Sequence, residues 1–539
     1  MSWTGWLLFI AIVQVIHFLG TWKLYIKAGR QAWEAAVPVY NAVILMKIIN
    51  RPWWWTILLF IPIVNLIMFP VIWVETLRSF GRNSTLDTIL GILTCGLYIY
   101  YINYTQDVTY IKDRSLKPRT AAGEWTSSIL FAVVAATIVH TYFMQPFTIP
   151  TSSLEKTLLV GDFLLVSKYH YGARTPNTTV AMPMVHDVIP FVGAKSYLPN
   201  PQLPYFRFPG FQDIERNDIV VFNWPIDEFE DIGPPPSGYM YKPVDKKSNY
   251  VKRCVGIPGD SLEVRNGYVY INGKQNELPD RARLQFAYKV FSKKPLVQVD
   301  NQDRYTNIPI PFIADRYDIS DIYVTEIDRE NRIVVHVAHL TDEAMAQLKS
   351  LPDVISIEPL KGTEGEYAQD TFPNDPNHAF NTDFFGPIYI PEAGKTVAIT
   401  NESIPFYKRI IEVYEGSELG EDKKITQSGT QVLLNGEPIT EYTFKMDYYW
   451  MMGDNRNNSQ DARSWGYVPF NHVVGKPVFV FMSWNSNAQG LANKIRWERL
   501  FTTVGGSGEP VSYFKYFLIV LVGWFAFNFF RRRRKSAKK

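Results

Sequence analysis

Cysteine is almost absent from this chain: two among 539 residues. Cys95 falls in an apolar, membrane-like run and Cys254 in a polar stretch far downstream, so a disulfide between them is not expected. The polar middle of the chain must then be stabilised by its core. Two cysteines cannot build a structural zinc site, and the eight histidines show no metal-ligand spacing, so neither metal nor cofactor is expected. Charge of one sign is lacking too. The net charge of +3 gives no whole-chain field for nucleic acid. There is no internal repeat and no G-x-S-x-G elbow, and no histidine sits in a recognisable triad block, which leaves a histidine-based mechanism poorly supported. Gly394-Lys395-Thr396 lacks the first glycine of a phosphate-binding loop, because Tyr389 stands in its place.

Long apolar runs are present, and they cluster at the two ends. They cover roughly Trp3–Leu19, Trp53–Val74, Leu86–Tyr101, Trp125–Met144 and Tyr513–Phe530. The clearest of them approach the ~20 residues that cross a bilayer. No small-residue cleavage site follows the first run, so a retained helix is expected rather than a removed leader. Lys23, Lys27 and Arg30 follow the first run, Lys112, Arg114, Lys117 and Arg119 precede the fourth, and Arg531–Lys535 follow the last. Basic flanks stay on the cytoplasmic side. Five spans with these flanks inside put the N-terminus and the middle region, 145–512, outside. Arg78 and Arg82 conflict mildly with that scheme, since they fall on the outer side. The apolar stretch Val37–Ile49 is short and is expected to lie at the interface or to re-enter.

The middle region reads mainly as strands. Asp218–Phe222, Tyr250–Val255 and Pro477–Met482 are β-rich, and Ser261–Gly273 reads as a hairpin turned by Asn266-Gly267. Pro201–Pro209 and Gly233–Pro236 read as loops. Helical signals are scarce apart from Thr341–Leu351, where Asp342 and Glu343 open a candidate helix. The domains expected are a membrane module of about three transmembrane helices (1–123), an anchor (124–144), an extracytoplasmic region (145–512) and a last helix with a basic tail (513–539). The fold class is membrane-anchored, mainly β outside the membrane, with a mixed α/β insertion at 283–383 between core segments 145–282 and 384–482.

Three blocks carry chemistry. Ser153 lies in Ile149-Pro150-Thr151-Ser152-Ser153-Leu154, just after the fourth apolar run. Lys252 lies in Tyr250-Val251-Lys252-Arg253-Cys254-Val255. The third block is Gly453-Asp454-Asn455-Arg456-Asn457-Asn458-Ser459-Gln460-Asp461-Ala462-Arg463. A serine hydroxyl needs a base to take its proton. A lysine can serve only when neutral, so its pKa must fall from about 10.4, and burial is the available means. Alternation puts Tyr250, Lys252 and Cys254 on one face of a strand and Val251 on the other.

Together the blocks resemble the type I signal peptidases, membrane proteases with a serine nucleophile and a lysine base. The resemblance implies Ser153 as nucleophile and Lys252 as general base. It implies Thr151 as a hydroxyl that helps the Ser153 amide stabilise the oxyanion, and Ser459 as a serine that hydrogen-bonds and orients the lysine. Asp461 and Arg463 fall at a supporting ion pair, and Tyr250 flanks the lysine. Phe147, Ile149, Pro150, Leu154, Leu158, Leu164, Val221 and Val251 are candidate walls for an extended substrate. The implied substrates are signal-peptide-bearing preproteins with small side chains one and three residues before the cut. The implied setting is a bacterial inner membrane with the lipid bilayer as partner and contact with the export machinery left open; no nucleic acid partner is implied.

The first block departs from the family pattern. Leu154 replaces the usual methionine and Lys156 the usual proline, which creates an S-x-x-K motif over Ser153–Lys156. Penicillin-binding proteins pair S-x-x-K with K-T-G, but the chain has Lys395-Thr396-Val397 and strands where that fold needs helices. A catalytically inactive membrane scaffold is the non-enzyme alternative, which turnover of a preprotein would separate from a protease.

Overall fold

The computed structural model describes residues 3–118, 120–227, 229–231, 239–297, 319–486, 488 and 490–536. The loop expected at Gly233–Pro236 lies outside the described residues, as does part of the 283–383 stretch. The chain divides into two compact units: 1–143 with 173–208 and 227–247, and 144–172 with 209–226 and 248–539.

The first unit is built on helices. Trp3–Lys27 and Ala121–Tyr142 are long and apolar enough to cross a membrane. The second expected span is not one helix. It breaks into Trp55–Leu58 and Val64–Ser79, with Ile63 between them at φ 68°. Sixteen helical residues rise about 24 Å, short of a ~30 Å hydrocarbon core. The third expected span is also broken: Thr85–Leu93 and Tyr98–Thr105 meet at 118°. Polar contacts show where these segments return. Arg51, Arg78 and Arg114 all converge on the buried Glu75 carboxylate. The segment leaving Arg51 therefore comes back to the same level at Glu75. Arg82 likewise bonds Gln106, so the next segment also ends where it begins. The Val37–Ile49 stretch forms the helix Tyr40–Ile48. In the same unit, the 173–208 segment meets the helices through Trp6 Nε1, which donates to Gln202 O at 3.1 Å, and through Ile63 packed with Ala181 and Tyr197.

The second unit is centred on an antiparallel sheet. Its strand order is Met144–Thr148, Asp162–Ser167, Val473–Ser483, Ile219–Asn223, Asn249–Gly256, Tyr448–Met452 and Val468–Pro469, with Thr502–Thr503 added to the Val473–Ser483 strand. These strands are rich in β-branched and aromatic residues, which suit a pleated surface buried on both faces. One face packs Val220, Phe222, Cys254 and Trp450 into the larger core, and the other packs Ile149, Leu154, Leu164 and Val221. The hairpin expected at Ser261–Gly273 forms, with Asn266 and Gly267 both left-handed at φ 54° and 82°, as a tight two-residue turn requires. A separate four-stranded sheet joins Ile322–Asp328, Ile333–Leu340, Phe286–Ser292 and Val354–Pro359. The helix Asp342–Lys349 packs on it, and the Thr341 hydroxyl accepts from Ala344 N. The last helix, Phe514–Ser536, is the third one able to span a membrane. Its first turn is held by Phe501, whose ring lies 4.7 Å from Phe517 and 5.6 Å from Phe479 of the sheet.

Candidate active site

Ser153 sits in a single 3-10 turn, Ser152–Leu154, immediately after extended backbone at Thr151 (φ −128°, ψ 157°). Two outside supports hold the approach to it. Ile149 N donates to Asp162 O and its carbonyl accepts from Gly161 N, both at 2.9 Å. Leu154 is buried in the apolar cluster and pins the far side of the turn. Lys252 lies mid-strand in Asn249–Gly256, opposite Val220. The structure brings the two side chains together: Lys252 Nζ is 2.6 Å from Ser153 Oγ, with Lys252 4% and Ser153 7% exposed.

Burial pushes the Lys252 ammonium down to about 8 from an ordinary 10.5. The Asp461 and Asp454 carboxylates oppose that shift, and Arg463 adds to it. The opposition is weakened because both carboxylates are already paired. Arg463 meets Asp461 through two bonds of 2.9 and 2.8 Å, and Gly453 N donates to Asp461 Oδ2 at 3.0 Å. Arg253 holds Asp454 through two bonds of 2.8 and 2.6 Å. A lysine beside two neutralised carboxylates can lose its proton near neutral pH, which one beside free carboxylates could not.

The other expected residues are placed as follows. Thr151 is exposed and its hydroxyl does not cap the turn. Tyr250 lies beside the lysine, with Nζ 5.4 Å from its ring centroid, and stacks on Trp224 at 5.0 Å. Ser459 Oγ is buried and forms no hydrogen bond, so the bond to Lys252 that the resemblance implies is not made in this structure. Its position is set by Gly453, where an added Cβ would collide with Ser459 Oγ and lie 2.6 Å from Ser153 O. Of the wall candidates, Ile149, Leu154, Leu158, Leu164 and Val221 are buried in one apolar cluster. Phe147 and Val251 pack against it half-buried, and Pro150 is exposed. These last three are the ones an extended peptide could reach.

Several residues that sequence reasoning did not single out hold the site. Asp454, present in the third block but given no role there, is a buried anion that joins Arg253 to Thr157, whose Oγ1 donates to it at 2.6 Å. Asn455 donates from N to Ser153 O at 3.1 Å and from Nδ2 to Ser152 O at 3.2 Å. Asn458 Nδ2 donates to Ser152 Oγ at 3.0 Å. The third block is thus a clamp on the serine turn. Its run of asparagines was the available signal, since side-chain amides are suited to bonding irregular backbone. Lys156 takes φ 72°, a conformation closed to proline, so the backbone itself departs from the family pattern here. Lys156 lines a separate cavity of about 110 Å³ with Arg281, Arg283 and Arg499; the ammonium bonded to Ser153 Oγ is that of Lys252. Among the described residues no cluster of His, Cys, Asp and Glu could hold a metal ion.

Comparison with known proteins adds the following. A family model described as signal peptidase, peptidase S26, matches residues 122–311 and 390–484. A second, described as Family of unknown function (DUF5684), matches residues 33–113. A signal peptidase I of Rickettsia canadensis (strain McKiel) is 28% identical over 218 residues, which is 36% of this chain and 67% of that protein. A signal peptidase I of Buchnera aphidicola subsp. Acyrthosiphon pisum (strain APS) is 23% identical over 369 residues, covering 68% of this chain and 77% of the relative. One of Rickettsia massiliae (strain Mtu5) is 27% identical over 218 residues, and the match spans 66% of its length.

Proposed function

Because the chain belongs to the signal peptidase family, peptidase S26, and is a serine endopeptidase, we propose that it removes N-terminal signal peptides from exported preproteins with Ser153 as nucleophile and Lys252 as general base. The observation that carries this reading is the 2.6 Å contact between Ser153 Oγ and a buried lysine. Neutral Lys252 accepts the hydroxyl proton as Oγ attacks the scissile carbonyl. The resulting ammonium returns that proton to the leaving amine as the acyl-enzyme forms. Neutral again, Lys252 deprotonates a water that attacks the ester, and protonation of Oγ restores the enzyme. The Ser153 amide and the Thr151 hydroxyl are the groups assigned to the oxyanion; one such donor is typically worth about 3 kcal/mol. The Asp461–Arg463 pair positions the third block behind the lysine.

The substrate enters extended, alongside the segment 147–150, with its small side chains against Phe147 and Val251. The mainly β catalytic region is extracytoplasmic, the 283–383 stretch is an insertion in it, and the membrane is the bacterial inner membrane. The return of Arg78 and Arg82 to the level of Arg51, Arg114 and Gln106 supports three crossings with two re-entrant segments between the first and second. Three crossings, like five, put the N-terminus outside and the basic tail inside. They also move Arg78 and Arg82 to the inner side and remove their conflict with the positive-inside pattern. The testing experiment is cleavage of a labelled preprotein by purified wild type, Ser153→Ala and Lys252→Ala. Loss of turnover in both folded variants is the expected result, and wild-type turnover in either rejects the dyad.

A further inference from the structure

The 283–383 stretch supplies nothing to the reaction above, yet it returns to the serine turn. Asp321 stands just before the Ile322–Asp328 strand and is held by its neighbour strand: His339 N donates to Asp321 O at 2.9 Å, and His339 Nδ1 lies 2.9 Å from Asp321 Oδ2. Its carboxylate has a second partner from outside that sheet. Asn458 Nδ2 lies 2.7 Å from Asp321 Oδ2 and 3.0 Å from Ser152 Oγ. An amide NH2 carries two hydrogens, so one nitrogen can serve both acceptors. Ser320, one residue earlier, reaches Glu155 Oε1 at 3.4 Å. Successive residues of the insertion thus contact the chain on both sides of Ser153, at 155 directly and at 152 through Asn458. The Ser152–Leu154 turn is one turn of 3-10 helix, too short to fix its own geometry, so it depends on outside bonds: those of Asn455 to the Ser152 and Ser153 carbonyls, and these from the insertion.

We propose that Asp321 is a positioning residue for the peptidase reaction: it fixes the Asn458 amide, which fixes Ser152 and so aims Ser153 Oγ at Lys252. The proposal rests on the reading of Ser153 and Lys252 as the dyad. A carboxylate is the stronger acceptor for an amide donor, and a small misplacement of a nucleophile is costly in rate. The insertion is in this sense part of the active site without touching the substrate.

The test is steady-state cleavage of a preprotein by the full-length protein in detergent. Asp321→Ala is expected to lower kcat about tenfold or more and to leave KM within about twofold, because orientation rather than binding is lost. Asn458→Asp sets two carboxylates against each other at a 2.7 Å contact and is expected to lower kcat similarly. Combining Asn458→Asp with Asp321→Asn restores a donor and an acceptor with their roles exchanged, and the Ser152 hydroxyl can then donate to the carboxylate. That pair is expected to recover to within about threefold of wild type, a coupling that a merely structural role would not give. Wild-type kcat in Asp321→Ala, or no recovery in the exchange pair, overturns the proposal. If Asp321→Ala does not fold, the exchange pair alone decides. Ser153→Ala is assayed alongside: turnover retained there rejects the dyad, whereas loss there with an unaffected Asp321→Ala rejects only the role of Asp321.

Discussion

At the scale of single residues, the proposed chemistry turns on one proton. With Lys252 held near 8, about a tenth of the protein carries the neutral amine at pH 7 and about nine-tenths at pH 9. A pH–rate profile of the chemical step should therefore rise about tenfold per unit below pH 8 and level off above about 9. A flat profile from pH 6 to 9 would mean that another group takes the serine proton. The same shift bears on stability. The folded value lies below the ordinary 10.5, so between the two the unfolded chain binds more protons and stability rises with pH. The cost of burying the ammonium is fully present below about 8 and gone above about 10.5, and it is on the order of 3 kcal/mol. Lys252→Met should therefore abolish cleavage and yet raise the thermal midpoint at pH 7, by more than at pH 10. A lowered midpoint at pH 7 would show that the amine is stabilising rather than costly where it sits.

At the scale of elements, the site is a strand and a turn clamped by the 453–463 loop. Each of three Gly-Asp pairs in the second unit buries an aspartate against a remote arginine, and the first two also close turns. Asp162 meets Arg499, Asp260 meets Arg216 and Asp454 meets Arg253. The last pair is the most enclosed and ties the lysine strand to the clamp. Asp454→Ala leaves Arg253 charged and buried, which typically costs about 3–5 kcal/mol; denaturant unfolding of the full chain measures it. Gly453→Ala tests the clamp without changing charge. Its methyl would press on Ser459 and on the Ser153 carbonyl, so kcat should fall at least about tenfold with the fold retained. Unchanged kcat would show that the turn tolerates displacement.

At the scale of the whole molecule, the question is how many times the chain crosses the bilayer. Five straight spans put Asn83 outside, whereas three crossings with two re-entrant segments put it inside. In a Cys95→Ser background, which removes the exposed free thiol, Asn83→Cys should resist a membrane-impermeant thiol reagent in intact cells, whereas Lys361→Cys in the 283–383 stretch should react. Arg534→Cys in the tail should be protected as well. Labelling of Asn83→Cys as fast as Lys361→Cys would restore the five-span arrangement.

The sequence by itself determined which local elements form and which residue types carry the chemistry. Strands at 218–222, 250–255 and 477–482, the Asn266-Gly267 hairpin and the Thr341-capped helix follow from short-range pattern, which is why they were legible. The three blocks marked Ser153, Lys252, Asp461 and Arg463 through their resemblance to the type I signal peptidases, which compact runs of sequence are enough to carry. What only the tertiary structure decided rests on contacts between distant residues. Arg253 and Asp454 lie 201 positions apart, and nothing local marks either as the partner of the other. Asn458 bridges Ser152 and Asp321, 306 and 137 positions away from it. The apolar runs at 53–74 and 86–101 have the composition of spans, but hydropathy counts residues and does not see a break. Arg51, Arg78 and Arg114 meeting on Glu75 shows where the first of them turns back. The shift of Lys252 was foreseeable in kind, because a base must be neutral. Its extent depends on burial and on two carboxylates that arginines had already neutralised, and those are properties of the assembled fold.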